Sequence, residues 1–405
     1  MKNNQVQYKK NNNYLSKMAK SKIPFEYRAL VTTVEFLLKC VAIWPLSDDN
    51  FYSRFGPYLY MFTLIFTMFG IFYSMMCSSG NIGFLIKTCF WLTGDASVLF
   101  KIMTIHFNRK ELKKLYEILE TKHYVKLLKN SNFKETILKG MYCNILHVLT
   151  ILYSLNLLSF SMPLFNIIRQ FISGVHPIQY QYYFPLNYPW YPISPYGFMY
   201  NIHFLIVSTS SLTLSFASST CDALFFLYII KIIGHLRQLT YDMKNFNNND
   251  DDYHVFTRKV VIEHVNLIFY CHKLEKIFGP LILWFTITNA VLLVGATYMV
   301  FQLSHLLSFG DTIQLFAYVL VKLLQAYVYG YFGSCLQKES ENYRISIYSL
   351  NWLGKEKFMS SIVIMLSQKP LTFNICSISV LSVELFSATL NTTISYYFLL
   401  KTLDN

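Results

Sequence analysis

The segment ISYYFLLKTLDN (394–405) runs from an apolar, aromatic stretch into a short polar tip, and the side of a membrane on which that tip lies decides the fold. Residues 376–400 are long enough to cross a bilayer, a task that takes about 20 predominantly apolar residues. Working back from there, six more stretches qualify: roughly 57–77, 82–105, 140–162, 197–220, 278–302 and 312–334. Seven is odd, so the two termini fall on opposite sides. Cytoplasmic loops retain Lys and Arg, which says which side is which. Residues 1–56, 106–139, 231–277 and 337–370 hold nine, nine, seven and five basic residues. The alternate set, 78–81, 163–196 and 303–311, holds only Arg169. The expectation is a cytoplasmic N-terminus and an extracellular tip.

Composition agrees. Of 405 residues, 54% are hydrophobic and only 14% charged, with a mean hydropathy of +0.34; soluble proteins carry roughly 25% charged residues. The expected fold class is an all-α polytopic membrane protein with seven transmembrane helices, forming one domain over 1–405. The N-terminal region (1–56) includes 24–46, an apolar stretch with Glu26, Arg28, Glu35 and Lys39 that reads as an amphipathic interfacial helix. Spans one to six cover 57–336, a charged cytoplasmic anchor segment covers 337–370, and the seventh span lies in 371–405. Pro370 predicts a break between anchor and span, because proline stops a helix and biases the residue before it away from helical angles. The N-terminus lacks an apolar core followed by a small-residue cleavage site, so it does not read as a secretory signal.

Other classes fit poorly. The net charge of +13 gathers outside the apolar runs and forms no basic groove, so no nucleic-acid partner is expected. The eight cysteines contain no CxxC and the ten histidines no HExxH. They predict neither a disulfide framework nor a metal site, and no cofactor is expected. An enzyme would need a convergent catalytic set within the spans, and none is visible. A transporter would favour paired broken helices from an internal repeat, which is also not visible. A G-protein-coupled receptor has the opposite orientation, and residues 144–220 lack the cysteine its usual loop disulfide needs.

The last quarter of the chain carries more specific residues. Glu339-Ser340, Tyr348, Trp352 and Lys369-Pro370-Leu371 are followed by Phe386, Leu390 and Ser395-Tyr396-Tyr397-Phe398-Leu399-Leu400. Weaker marks are Ala42-Ile43-Trp44-Pro45-Leu46 and the loop QYYFPLNYPWYPISPYGF (181–198). In this order and with inverted topology, the chain resembles the insect odorant receptor family; gustatory receptors share the topology but usually not the SYYFLL ending. The resemblance implies a subunit of an odorant-gated, non-selective cation channel in the plasma membrane of the olfactory sensory dendrite. Its partners would be co-receptor subunits in a tetramer (a homotetramer being the other arrangement), a small volatile odorant, permeating cations and membrane lipid. The second cytoplasmic loop, 231–277, is short for a co-receptor, so the chain looks like an odour-tuning subunit.

The resemblance also implies functional positions. Aligning the SYYFLL ending puts the pore gate at Leu399 and Leu403, four residues apart on one helical face, with Thr402 as a polar liner. Such a constriction stops ions by dewetting. The ligand site would lie in the outer half of the bundle. Span two offers Phe84, Lys87, Thr88 and Trp91, at helical spacing. Span three offers Tyr153, Ser154 and Leu157; span four Tyr200, His203, Phe204 and Val207; span six Phe316 and Tyr318. Lys87 would snorkel outward or meet an acidic or carbonyl-bearing odorant. Glu384 would line the inner vestibule or pair with a buried base such as Lys322. Asp95 and Lys101 fall on different helix faces, so their partners are expected on other helices.

Overall fold

The computed structural model describes residues 25–44, 50–78, 82–129, 165, 167–174, 186–190, 198–246, 253–301, 309–350 and 356–404. In chain order the elements are α1 (Phe25–Cys40), α2 (Phe51–Cys77), α3 (Ile82–Phe107), α4 (Arg109–Lys129), α5 (Phe198–Lys244), α6 (Tyr253–Phe301), α7 (Phe309–Tyr348) and α8 (Glu356–Ser367). A two-strand antiparallel hairpin, β1 (Asn374–Ile375) and β2 (Ser379–Val380), precedes α9 (Val383–Asp404). The chain is an all-α polytopic membrane protein. Among the described residues α2, α3, α5, α6 and α7 are long and apolar enough to cross a bilayer. The expected third span, 140–162, lies outside the described residues, as do Tyr153, Ser154 and Leu157.

The spans predicted around 197–220, 278–302 and 312–334 are parts of much longer helices. α5, α6 and α7 contain 47, 49 and 40 residues. At 1.5 Å per residue they are about 60–74 Å long, at least twice the hydrocarbon thickness. The segment 231–277, expected as a loop, is therefore mostly helix. The reason is packing. From Thr220 to Leu236 every residue of α5 is buried, including Ala223 through Ile233. A helix apolar all round belongs inside a core, and α1, α4, α6, α7 and the hairpin surround this one.

Polar ties fix the part of the bundle that the basic-residue pattern assigns to the cytoplasm. Tyr228 donates to the Leu112 carbonyl (2.9 Å), and Lys231, fully buried, lies 3.6 Å from the centroid of Tyr116. Arg237 meets Glu339 through both Nε and Nη2 at 2.8 Å, joining α5 to α7. Lys273 pairs with Glu111 (2.8 Å), and that ammonium holds the Glu111 carboxyl below its usual range. Within the spans, Thr67, Thr88, Thr93, Ser97 and Ser211 return hydroxyl hydrogen bonds to carbonyls one turn back, which satisfies them where no water is at hand.

The break at Pro370 exists and is larger than predicted. α8 ends at Ser367, and α9, the helix expected as the seventh span, begins at Val383, not near 376. Cys376 and Ser377 have φ of 49° and 61°, a left-handed pair that turns the hairpin and rules out helix there. Ser340 Oγ accepts the Leu371 amide (2.6 Å), Glu275 accepts both Asn374 donors, and Ser334 Oγ accepts the Val383 amide (2.9 Å). Two glycines of α7 let this junction dock. A Cβ on Gly333 would stand 2.0 Å from the Leu381 carbonyl oxygen, and one on Gly330 would stand 2.7 Å from that of Ser382.

Candidate ligand-binding interior and pore helix

The interior is stacked in three tiers. The first is aromatic. Tyr188 lies between Phe66 and Trp190, with ring centroids 5.0 and 5.1 Å away. Trp190 stacks on Phe69 and donates its indole N–H to His203 Nε2 at 3.2 Å. That bond makes Nε2 the acceptor and leaves the hydrogen on Nδ1, which has no hydrogen-bond partner among the described residues. Val207 is buried beneath, with Ile71, Leu186 and Tyr188, and Trp91 packs against them.

The second tier is apolar. Tyr318 stacks on Phe90 (5.3 Å, 13° between planes) inside a sleeve of Ile86, Leu292, Ala296, Met299, Leu315 and Val319. Glycine makes room for it: Gly295 faces Ile86 and Phe90 at 3.4 Å from where a Cβ would sit.

The third tier is charged. Asp222 of α5, 1% exposed, accepts from Lys101 of α3 (2.6 Å), from Tyr329 of α7 (2.7 Å) and from Gln325 of α7. Lys101 also donates to the Ser218 carbonyl at 3.1 Å. Lys322, on α7, lies over Phe285 and Tyr318. Separately, Asp95, fully buried, accepts from Thr67 (3.2 Å), which in turn contacts Ser210 (2.9 Å), about three turns along α5 from Asp222. Lys101 thus finds its partner on another helix, as expected of a residue that does not face Asp95. A small cavity of about 30 Å³ lies between α6, α7 and the start of α9, lined by Asn289, Tyr329 and Phe386 among others.

The sequence-derived ligand positions distribute unevenly over these tiers. Thr88, Tyr200, His203 and Val207 are buried; Phe84, Lys87, Trp91 and Phe204 are half-buried. Thr88 spends its hydroxyl hydrogen on the Phe84 and Leu85 carbonyls. Tyr318 points into the second tier, whereas Phe316, two residues earlier on the same helix, is 70% exposed on the outside of the chain. Sequence reasoning missed Asp222, Gln325 and Tyr329 altogether. The sequence signal was there: an acid, an amide and a phenol inside apolar spans, each needing a partner.

α9 packs by one face only. Tyr397 meets Phe301 (5.1 Å) and Phe386 meets Tyr327 (5.8 Å). Leu399 is 54% exposed, and Thr402, also exposed, donates to the Leu399 carbonyl at 2.7 Å. Leu403 lies on the same helix, its side chain outside the described ones. Glu384 stands exposed in the first turn of α9, with no ion pair to Lys322 or to any other described base.

Three comparisons bear on this arrangement. A family model described as 7tm odorant receptor matches residues 81–394. Two curated relatives from Drosophila melanogaster are similar to parts of the chain. Odorant receptor 13a is 26% identical over 158 residues, 36% of this chain and 38% of the relative. Odorant receptor 67a is 25% identical over 233 residues, 53% and 56%. The matches thus span about half the length of these relatives or less. The fold resembles the solved structure of the insect olfactory receptor OR5 from Machilis hrabei in complex with eugenol. That match has a TM-score of 0.72 and 14% identity, over 93% of this chain and 98% of the other. A second solved structure of the same receptor matches with a TM-score of 0.73, 13% identity and 92% and 98% coverage.

Proposed function

Because the chain belongs to the 7tm odorant receptor family, we propose that it is the odorant-binding subunit of a ligand-gated, non-selective cation channel. It crosses the plasma membrane seven times with its N-terminus inside, and it assembles as a tetramer with co-receptor subunits or with itself. A small volatile enters the outer half of the bundle, among Phe84, Lys87, Thr88, Trp91, Tyr200, His203, Phe204, Val207 and Tyr318. The observation that carries the channel reading is the one-sided packing of α9. Thr393 and Tyr397 are buried against the rest of the chain, while Leu399 and Thr402 are exposed on the other side. Four copies around a closed axis turn those faces towards one another. Rings of Leu399 and Leu403 then form a dewetting constriction with Thr402 beside it. A volatile that binds the open state more tightly shifts the closed–open balance by that difference in affinity.

Substituted-cysteine accessibility tests the reading. Leu399→Cys and Thr402→Cys, expressed with a co-receptor, are exposed from outside to a charged thiol reagent during odorant-evoked current. Modification should block the current, and faster with odorant present. Surface-expressed variants whose currents ignore the reagent would remove α9 from the pore.

A further inference from the structure

We propose that Lys322 is the polar anchor of the ligand site, so that the chain is tuned to small volatiles bearing a carbonyl or carboxylate oxygen at one end of an apolar skeleton. The proposal rests on the odorant-binding reading above and names the ligand class of that site.

Among the described residues, Lys101, Lys231 and Lys322 enter the interior of the bundle, and the first two are accounted for. Lys101 is 3% exposed, paired with Asp222 and bonded to a carbonyl. Lys231 is 0% exposed and lies against Tyr116. Lys322 differs from both. Its ammonium is within electrostatic reach of Lys101 and Asp222, but the carboxylate is taken: Lys101, Tyr329 and Gln325 occupy its oxygens. The Lys322 ammonium, with three N–H groups, meets only ring faces among the described residues, 5.5 Å from the Phe285 centroid and 5.7 Å from that of Tyr318. It also keeps accessible surface where the other two keep almost none.

Its position gives those donors a use. Lys322 lies one helical turn from Tyr318 on the same face of α7. Tyr318 stacks on Phe90, and the apolar sleeve of Ile86, Leu292, Ala296, Met299 and Val319 adjoins it. The chain therefore offers an apolar wall that ends at unmet N–H donors. A ligand of matching polarity puts its carbon skeleton along the sleeve and its acceptor oxygen on Lys322. A hydrocarbon of the same shape leaves the charge unmet, and a site built around a donor discriminates strongly against the analogue that lacks the acceptor. Lys87, the basic residue that the sequence singled out for this role, sits on α3 at the half-buried outer edge instead.

The test reads binding, not current. Purified full-length chain in nanodiscs is titrated with hexanal, 2-heptanone, hexanoic acid and n-heptane, and thermal stabilisation gives an apparent affinity for each. The expected result is that acceptor-bearing ligands stabilise at concentrations at least tenfold below n-heptane. Lys322→Met should abolish that tenfold preference, weakening the acceptor-bearing ligands and, if anything, tightening n-heptane, and Lys322→Arg should retain it. A wild-type chain without the preference overturns the proposal whatever the variants do; so does a preference that survives in Lys322→Met. Odorant-evoked current, recorded separately, distinguishes failure of the channel reading from failure of this one: binding with the stated preference but no current defeats only the former.

Discussion

Replacing Asp222 with Leu should be among the most damaging single changes in the bundle. The carboxylate joins α3, α5 and α7 through Lys101, Tyr329 and Gln325, and its charge also acts on Lys322. Leu branches at the same carbon, but its methyl groups are bulkier than the carboxylate oxygens, so some overpacking adds to the electrostatic loss. Removing one partner of a buried pair costs about 3–5 kcal/mol, because the other charge is left uncompensated. The Tyr329 and Gln325 donors lose their acceptor as well, at about 1–3 kcal/mol each if nothing replaces it. A net loss of about 4 kcal/mol or more follows, after relief from rearrangement. Lys101→Met should cost less, about 1–3 kcal/mol, since Asp222 keeps two donors and Lys322 stands close enough to replace the lost cation. The double variant, Lys101→Met with Asp222→Leu, should recover much of the single loss, because an apolar pair can replace a buried ion pair at little cost. Apparent melting temperature of purified protein measures all three. Asp222→Leu within about 1 kcal/mol of wild type, or strictly additive effects in the double variant, would refute the reasoning.

Three further outcomes are expected. Gly333→Ala drives a Cβ into the Leu381 backbone; overpacking of this kind costs about 1–3 kcal/mol, so surface expression should fall, while Gly94→Ala, whose nearest atom would be 4.0 Å away, should be tolerated. Burial against Tyr343 pushes the His264 imidazole below its usual value of 6.5. The unfolded chain therefore binds the proton first as pH falls, so this contribution is intact above about pH 6.5 and is lost below it. His264→Phe should flatten that acid limb of the melting-temperature profile. Leu403→Ala should raise current in the absence of odorant; unchanged basal current would count against the constriction at α9.

Much of the architecture was legible because membrane spans advertise themselves by length and apolarity. The end of α2, the start of α3, the amphipathic α1 and the break at Pro370 all follow from local sequence. The extent of α5 did not. HLRQLTYDMK reads as a charged loop after an apolar run, and only the tertiary pairing of Arg237 with Glu339 and the burial of Leu236 and Leu239 show why it stays helical. Similarly, Glu339-Ser340 was visible as a motif without its work: one residue clamps α5 and the other receives the Leu371 amide. The late start of α9 depended on left-handed Cys376 and Ser377, residue types that give no such warning. At the candidate site, helical spacing put Phe84, Lys87, Thr88 and Trp91 on one helix, which is α3, but it could not separate inward Tyr318 from outward Phe316. Nor could spacing pair Lys101 with Asp222 across 121 positions, since that contact exists only once three helices pack.

The central claim is that an odorant opens a cation path through this chain. Whole-cell current in cells expressing it, with and without a co-receptor, under an odorant panel and with a nucleotide-free pipette, tests that claim most directly. The account predicts a fast cation-carried current that persists without nucleotide. Odorant responses that vanish once nucleotide is withdrawn, in cells with confirmed surface expression, would place the signal in a downstream enzyme cascade and contradict the channel reading.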